Sequence, residues 1–158
     1  MNIKSFFKLL VTIIVCELAG IIGTLFTSSE IPTWYAGLVK PALNPPSWIF
    51  GPVWTILYIL MGIAVFLVWK KGFSRPDVKK AVKVFALQLI LNATWSIVFF
   101  GLHSPLWAFV IVVAMWLAII WTMVVFYKIS KPAMWLLVPY IVWVTFASYL
   151  NYSIVVLN

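Results

Sequence analysis

Hydrophobic residues run almost unbroken through five stretches, about Phe6 to Thr27, Trp48 to Trp69, Val84 to Leu102, Leu106 to Tyr127 and Ala133 to Val156, and the charged residues collect mainly in the gaps. Each stretch comes close to or exceeds the ~20 residues that a helix rising ~1.5 Å per residue needs to cross ~30 Å of hydrocarbon. The runs do not alternate apolar and polar, as membrane strands of roughly 9 to 11 residues do, so helices are predicted. Inside a bilayer a helix satisfies its own backbone hydrogen bonds. The pattern predicts an all-α membrane protein, a five transmembrane helix bundle that takes up residues 1–158 as one domain, with helices over about 5–27, 45–70, 77–101, 105–128 and 132–156.

Proline marks the helix starts, because its missing N–H is not needed in the first turn. Asn44 is placed to cap Pro45 and Pro46, Ser74 lies just before Pro76, Ser104 precedes Pro105, and Ser130 lies two before Pro132. Pro52 and Pro139 fall deeper. Inside the second and fifth helices each is expected to remove an i to i−4 bond, free the carbonyls of Trp48 and Trp135, and bend the helix. Bent helices can enclose a cavity.

Helical spacing puts polar and aromatic residues on shared faces. On the third span Gln88, Asn92, Trp95 and Phe99 follow steps of four, three and four. An amide facing lipid is costly, so this face is expected to point inward, either as hydrogen-bonded packing or as the wall of a cavity. Tyr140, Trp143, Ala147 and Asn151 make a second such face on the fifth span, and Trp54 and Tyr58 lie one turn apart on the second. Trp34, Trp48, Trp69, Trp107 and Trp135 sit near span ends and read as interfacial anchors. Trp54, Trp95 and Trp143 serve either packing or a ligand. Glu17 is the one carboxylate within a span, and it is read either as a carboxyl hydrogen-bonded to a neighbouring helix or as a proton relay. Gly20 and Gly23 on the same helix allow close helix contact.

Composition narrows the class further. With 65% hydrophobic and 9% charged residues and a mean hydropathy of +1.13, a water-soluble fold is excluded. The net charge of +8 would suit nucleic acid, but the placement of the cations argues against it. Lys4 and Lys8, then Lys70, Lys71, Arg75, Lys79, Lys80 and Lys83, then Lys128 and Lys131 all fall on one side of a five-helix protein, and the opposite side holds Lys40 alone. These cations set topology and meet anionic membrane lipids. The positive-inside rule places the N-terminus in the cytoplasm and the C-terminus outside the cell membrane. The first span is not read as a cleaved signal: it is long, Glu17 interrupts it, and IIVCELAG lacks a small residue before Cys16. Cys16 itself reads as a packing residue. One histidine, one cysteine and three carboxylates suit neither a metal site nor nucleophilic catalysis, and His103 reads as a solvated loop residue.

Four long motifs occur in order: WYAGLVKP from Trp34, NPPSWIFGPVWTILYILMG from Asn44, NATWSIVFFG from Asn92 and PYIVWVTFASYLNY from Pro139. In these the chain resembles the translocator protein family, also called tryptophan-rich sensory proteins (TspO) or peripheral benzodiazepine receptors. The resemblance implies a five-helix membrane protein that binds porphyrins such as protoporphyrin IX, with benzodiazepine-site drugs and cholesterol as ligands of some members. Carried over by motif, the pocket opens toward the first loop and is lined by Tyr35, Pro45, Trp54, Tyr58, Asn92, Trp95, Trp143 and Ala147. A tetrapyrrole needs aromatic walls, and its propionates need a cation at the mouth, where Lys40 is the cation on that side. The cholesterol motif is incomplete, because Leu150 and Tyr152 are followed only by SIVVLN with no basic residue. The small-residue face that supports a homodimer in some members is not evident, which leaves the oligomeric state open.

The expected role is porphyrin transport or sensing rather than catalysis, with no resident cofactor. Two alternatives stand beside it. One is light- and oxygen-dependent degradation of porphyrin with Trp54 and Trp143 as reactants. The other is a ligand-regulated membrane partner or chaperone that docks through the basic second connection.

Overall fold

The computed structural model describes residues 3–158, and they form helices joined by turns. The elements are α1 (Ile3–Thr27), α2 (Trp34–Gly37), a 3-10 turn (Ser47–Ile49) leading into α3 (Phe50–Trp69), α4 (Pro76–Ser96) continued by a π-helical turn (Ile97–Gly101), α5 (Pro105–Ile129), α6 (Lys131–Trp135) and α7 (Val138–Leu157). They compose five spans of 25, 23, 26, 25 and 27 residues, each long and apolar enough to cross a membrane. The protein is an all-α, five-helix membrane bundle. Its outward side chains fit lipid: Phe7, Ile14, Leu18 and Leu25 on α1 and Leu117, Trp121 and Val124 on α5 are exposed. So much exposed apolar surface is untenable in water.

The bundle closes on itself. α1 packs on α3 and α4, α4 on α5, α5 on α6 and α7, and α6 returns to α3, whereas α7 touches α3 only slightly. Small residues permit the closest approaches, as expected where packing rather than water expulsion joins helices. Thr12, Cys16, Ala19 and Gly23 form the buried stripe of α1. A methyl group at Gly62 of α3 would lie 2.6 Å from Cα of Ile13, so the two backbones nearly touch there. The main core gathers Met61, Val68, Val78, Ile119, Phe126 and Tyr140, all fully buried.

Three expectations are corrected. Pro52 does not bend a helix, because α3 begins only at Phe50 and the proline falls in its first turn, where no N–H is required. The fifth span, expected as one helix, is interrupted just before Pro139. α6 ends at Trp135, the Leu137 N–H turns back to the carbonyl of Met134 at 3.0 Å, and α7 restarts with Pro139 in its first turn. Nor do the predicted residues cap through their side chains. The Asn44 amide is engaged with Tyr35 and the Pro45 carbonyl instead. At α4 the Asp77 carboxylate accepts the Val78 N–H at 2.9 Å and pairs with Arg75 at 2.7 Å, which puts negative charge at the helix N-terminus.

The π-helical turn was not anticipated. The Leu102 N–H reaches the Ile97 carbonyl at 3.0 Å, five residues back. The widened turn buries the consecutive Phe99 and Phe100, which one face of a regular helix would not hold together.

Candidate functional site

Where α3 and α7 part company, the bundle encloses a cavity of about 430 Å³, within the range of small-molecule sites. Its walls come from α1, the first loop, the start of α3, the end of α4 and the middle of α7. Of the residues carried over by motif, Tyr35, Trp54, Tyr58, Asn92, Trp95, Trp143 and Ala147 line it. Lys40 and Pro45 are not among the lining residues. The Lys40 ammonium donates to the carbonyls of Ala36 at 3.3 Å and Leu38 at 3.0 Å and lies 4.7 Å from the Tyr35 ring centre. It braces Tyr35 from behind. Pro45 lends its carbonyl to the Asn44 amide at 3.1 Å, inside the loop.

Aromatic contacts fix the walls. Trp54 stacks on Tyr58 with centroids 5.6 Å apart and meets Tyr140 edge-on at 6.2 Å. Trp143 stands edge-on to Phe50 at 6.0 Å, and Trp95 stacks on Phe99 at 5.2 Å. Rings held by several neighbours lose little freedom when a flat ligand arrives, which favours stacking.

Behind the aromatic walls runs a buried hydrogen-bond chain. Tyr58 donates its hydroxyl proton to Asn92 Oδ1; Asn92 Nδ2 donates to the Tyr140 hydroxyl at 3.0 Å, and Tyr140 donates in turn to Gln88 Oε1 at 2.8 Å. Three helices are thereby tied together through groups that would otherwise be costly in hydrocarbon. A second tie holds the α4–α7 wall, where Trp95 Nε1 donates to Asn151 Oδ1 at 3.0 Å and Asn151 Nδ2 to the Pro105 carbonyl at 2.8 Å. The inward faces of the third and fifth spans therefore meet each other. Gln88 serves packing, while Asn92 both packs and lines the cavity.

The first loop roofs the cavity with Ile31 and Tyr35. Burial pushes the Tyr35 phenol above its ordinary range, and its hydrogen bond to Asn44 at 3.0 Å acts in the opposite direction. Two clamps hold the roof. His103 is not simply solvated: it takes a positive φ of 49°, stacks on Trp34 at 4.5 Å and brings Nε2 within 2.8 Å of the Glu30 carboxylate. At the other end, the Asn158 amide pairs with both the N–H and the carbonyl of Val39, at 2.9 and 3.0 Å.

Sequence reasoning missed most of the α1 wall. Glu17, Gly20, Thr24 and Thr27 line the cavity at steps of three, four and three. That spacing is visible in the chain, but threonines and a glycine carry no chemistry that marks a site. The hydroxyls of Thr24 and Thr27 bond back to the carbonyls of Gly20 and Gly23, so they present methyl groups as readily as polarity. Glu17 lines the cavity with Oε1 buried and without a hydrogen-bond partner, so the expected bond to a neighbouring helix is not made by that oxygen.

Comparison with known proteins agrees with the motifs. A model of the TspO/MBR family matches residues 12–157. The chain is 47% identical over 155 residues to the tryptophan-rich protein TspO of Chlorobaculum tepidum, covering 98% of each protein. It is 45% identical over 151 residues to the protein of the same name from Archaeoglobus fulgidus, covering 96% of this chain and 97% of that one. It is 41% identical over 140 residues to the translocator protein of Homo sapiens, covering 87% of this chain and 82% of that one.

Proposed function

Since this chain belongs to the TspO/MBR family of membrane proteins, we propose that it binds a flat, amphipathic tetrapyrrole such as protoporphyrin IX in the cavity and carries or senses it. The observation that supports this reading best is the cavity wall itself, in which Trp54, Tyr58, Trp95 and Trp143 come from three helices onto one space of about 430 Å³. Stacking contributes about 0.5 to 1.5 kcal/mol per well-placed aromatic pair beyond the area it buries. The membrane setting matters too, because a ligand dissolved in lipid reaches the bundle without crossing water. On the charge pattern, the protein lies in the cell membrane with its basic connections in the cytoplasm and the roofed mouth outside.

The test is a titration of purified protein with protoporphyrin IX in the dark, followed by tryptophan quenching and the Soret band. Trp54→Ala and Trp143→Ala are each expected to weaken binding about fivefold, the equivalent of ~1 kcal/mol. Unchanged affinity in both variants sinks the proposed pocket.

A second reading keeps the ligand and changes its fate. The Trp143 indole N–H is buried at the wall without a partner, so no hydrogen bond competes for it. An indole beside a photoexcited porphyrin can donate an electron, with dioxygen as the final oxidant. Repeating the titration under light distinguishes the two: protein-dependent loss of the Soret band that disappears in Trp143→Phe supports degradation, and a stable band supports carriage.

A further inference from the structure

The cavity wall is not exposed evenly. Its lining residues on α4, the π-helical turn and α7 are all buried or half-buried, Trp95, Ser96, Trp143 and Ala147 included. The exposed ones belong to a single pair of neighbouring helices. Around the end of α1 they are Ile21, Thr24 and Ser28, and around the start of α3 they are Ser47, Trp48, Gly51 and Thr55.

Helical spacing shows what these positions share. On α3, Gly62, Tyr58, Thr55 and Gly51 follow steps of four, three and four; on α1 and just beyond it, Ile13, Gly20, Thr24 and Ser28 follow steps of seven, four and four. Each set therefore lies along one face. At the deep end the two faces touch. A methyl group at Gly62 would lie 2.6 Å from Cα of Ile13, and one at Gly20 would overlap the Tyr58 ring. About three turns nearer the first loop on the same face of α3, a methyl group at Gly51 would meet nothing within 4 Å. The helices that touch at Gly62 thus part toward the first loop, and the slot between them leads into the cavity.

The edges of the slot suit an apolar traveller. None of its exposed residues is charged. The hydroxyls of Thr24, Ser28 and Thr55 donate to the carbonyls of Gly20, Thr24 and Gly51, at 2.9, 2.7 and 3.0 Å. Each of these bonds lies within one turn of its own chain, so it survives while a ligand slides past.

We propose that the slot between α1 and α3 is a lateral portal, through which a lipid-soluble ligand passes from the bilayer half on the first-loop side into the cavity while the roof stays closed. The inference rests on the reading of the cavity as a ligand site and adds the route to it. Trp48, which is 74% exposed and also lines the cavity, stands at the slot, where an indole suits the bilayer interface and offers a flat ring a stacking surface.

The test places a thiol inside the cavity and asks how reagents reach it. Cys16→Ala removes the single cysteine and Ala147→Cys puts one on the α7 wall. In lipid nanodiscs the full chain with these two changes is treated with N-phenylmaleimide, which is uncharged and dissolves in the bilayer. Adding Gly51→Trp, an indole on the lip of the slot, should slow this reaction about tenfold, whereas Gly51→Ala should react like the parent. Releasing the roof with Glu30→Gln and Asn158→Ala should leave the rate within about twofold, because the reagent does not come that way. The same variants are then mixed with protoporphyrin IX dissolved in the discs, and Gly51→Trp should slow its association alike.

If Gly51→Trp leaves the maleimide rate unchanged, or the released roof quickens it as much as the proposal assigns to the slot, the route runs through the first loop and the portal is overturned. Thr24→Trp, on the opposite lip, repeats the measurement should Gly51→Trp fail to fold; failure of both to fold means that the slot is filled by packing and also overturns the proposal. Porphyrin that does not bind the parent chain brings down the tetrapyrrole reading alone, since the thiol reaction still decides the route.

Discussion

Removing one oxygen atom at the centre of the bundle, in Tyr140→Phe, should lower stability measurably without touching the cavity wall. The Tyr140 side chain is fully buried, and its hydroxyl accepts from Asn92 Nδ2 at 3.0 Å and donates to Gln88 Oε1 at 2.8 Å. Phenylalanine leaves both partners in place and both unmet, in a space the size of one oxygen that admits no water. Accounting from soluble proteins would charge about 1 to 3 kcal/mol for each orphan. Interhelical hydrogen bonds within membranes are worth less, ~0.6 kcal/mol on average and ~1.7 at most, because the unfolded chain in a bilayer also finds partners. Two lost bonds then give about 1 to 3 kcal/mol. For a chain of 158 residues each kcal/mol moves the melting temperature by roughly 2 to 4 °C, so a fall of about 2 to 12 °C is expected. Cys16 supplies the assay, since it is the single cysteine and is fully buried: a thiol-reactive dye reports its exposure on heating in detergent. Gln88→Leu combined with Tyr140→Phe removes one orphan together with its lost partner, and it should recover part of the loss. If Tyr140→Phe melts within about 1 °C of the parent chain, the buried chain contributes nothing to stability and the packing reading of Gln88 is wrong.

Two further perturbations probe the framework. Gly62→Val should push α1 off α3, because even the first added carbon would lie 2.6 Å from the Ile13 backbone, and overpacking costs about 1 to 3 kcal/mol; Gly37→Ala, with nothing within 4 Å, is the matched control and should melt like the parent chain. Releasing the roof by Glu30→Gln or Asn158→Ala should barely change the melting temperature, since an exposed side-chain contact is worth about 0 to 1 kcal/mol, yet hydrogen exchange across residues 28–46 should quicken several-fold. Unchanged exchange in both variants would mean that neither clamp holds the loop.

The spans were legible because hydrocarbon imposes length and apolarity on any helix that crosses it, and no tertiary detail overrides that demand. The inward faces of the third and fifth spans were legible for a related reason: Gln88, Asn92 and Asn151 have nowhere to go in lipid, so helical spacing alone assigns their direction. What spacing does not carry is which amide meets which hydroxyl. That depends on helix rotation and stagger, which here bring Tyr140 between Gln88 and Asn92. The prolines misled for a different reason. A proline stops a helix wherever it falls, but whether it bends, breaks or begins one depends on where the helix starts, and boundaries are soft to within a few residues. His103 was read as solvated because one histidine in a short connection has no visible partner in the sequence; Glu30 lies 73 positions away and reaches it only through the fold.

The break near Pro139 lies in the span that supplies one wall of the cavity. Proline cannot bond back to the Trp135 carbonyl, so the helical ladder is interrupted at Leu136 and Leu137 and resumes at Val138. α6 stays against α3 and closes the end near the basic connections, while α7 follows α5 and barely touches α3. Trp54, Trp95 and Trp143 line the cavity beside α7 together with Ile31 and Tyr35 of the first loop. The fifth span thus divides its work at Pro139: α6 packs on α3, while α7 lends Trp143, Ala147 and Asn151 to the cavity wall.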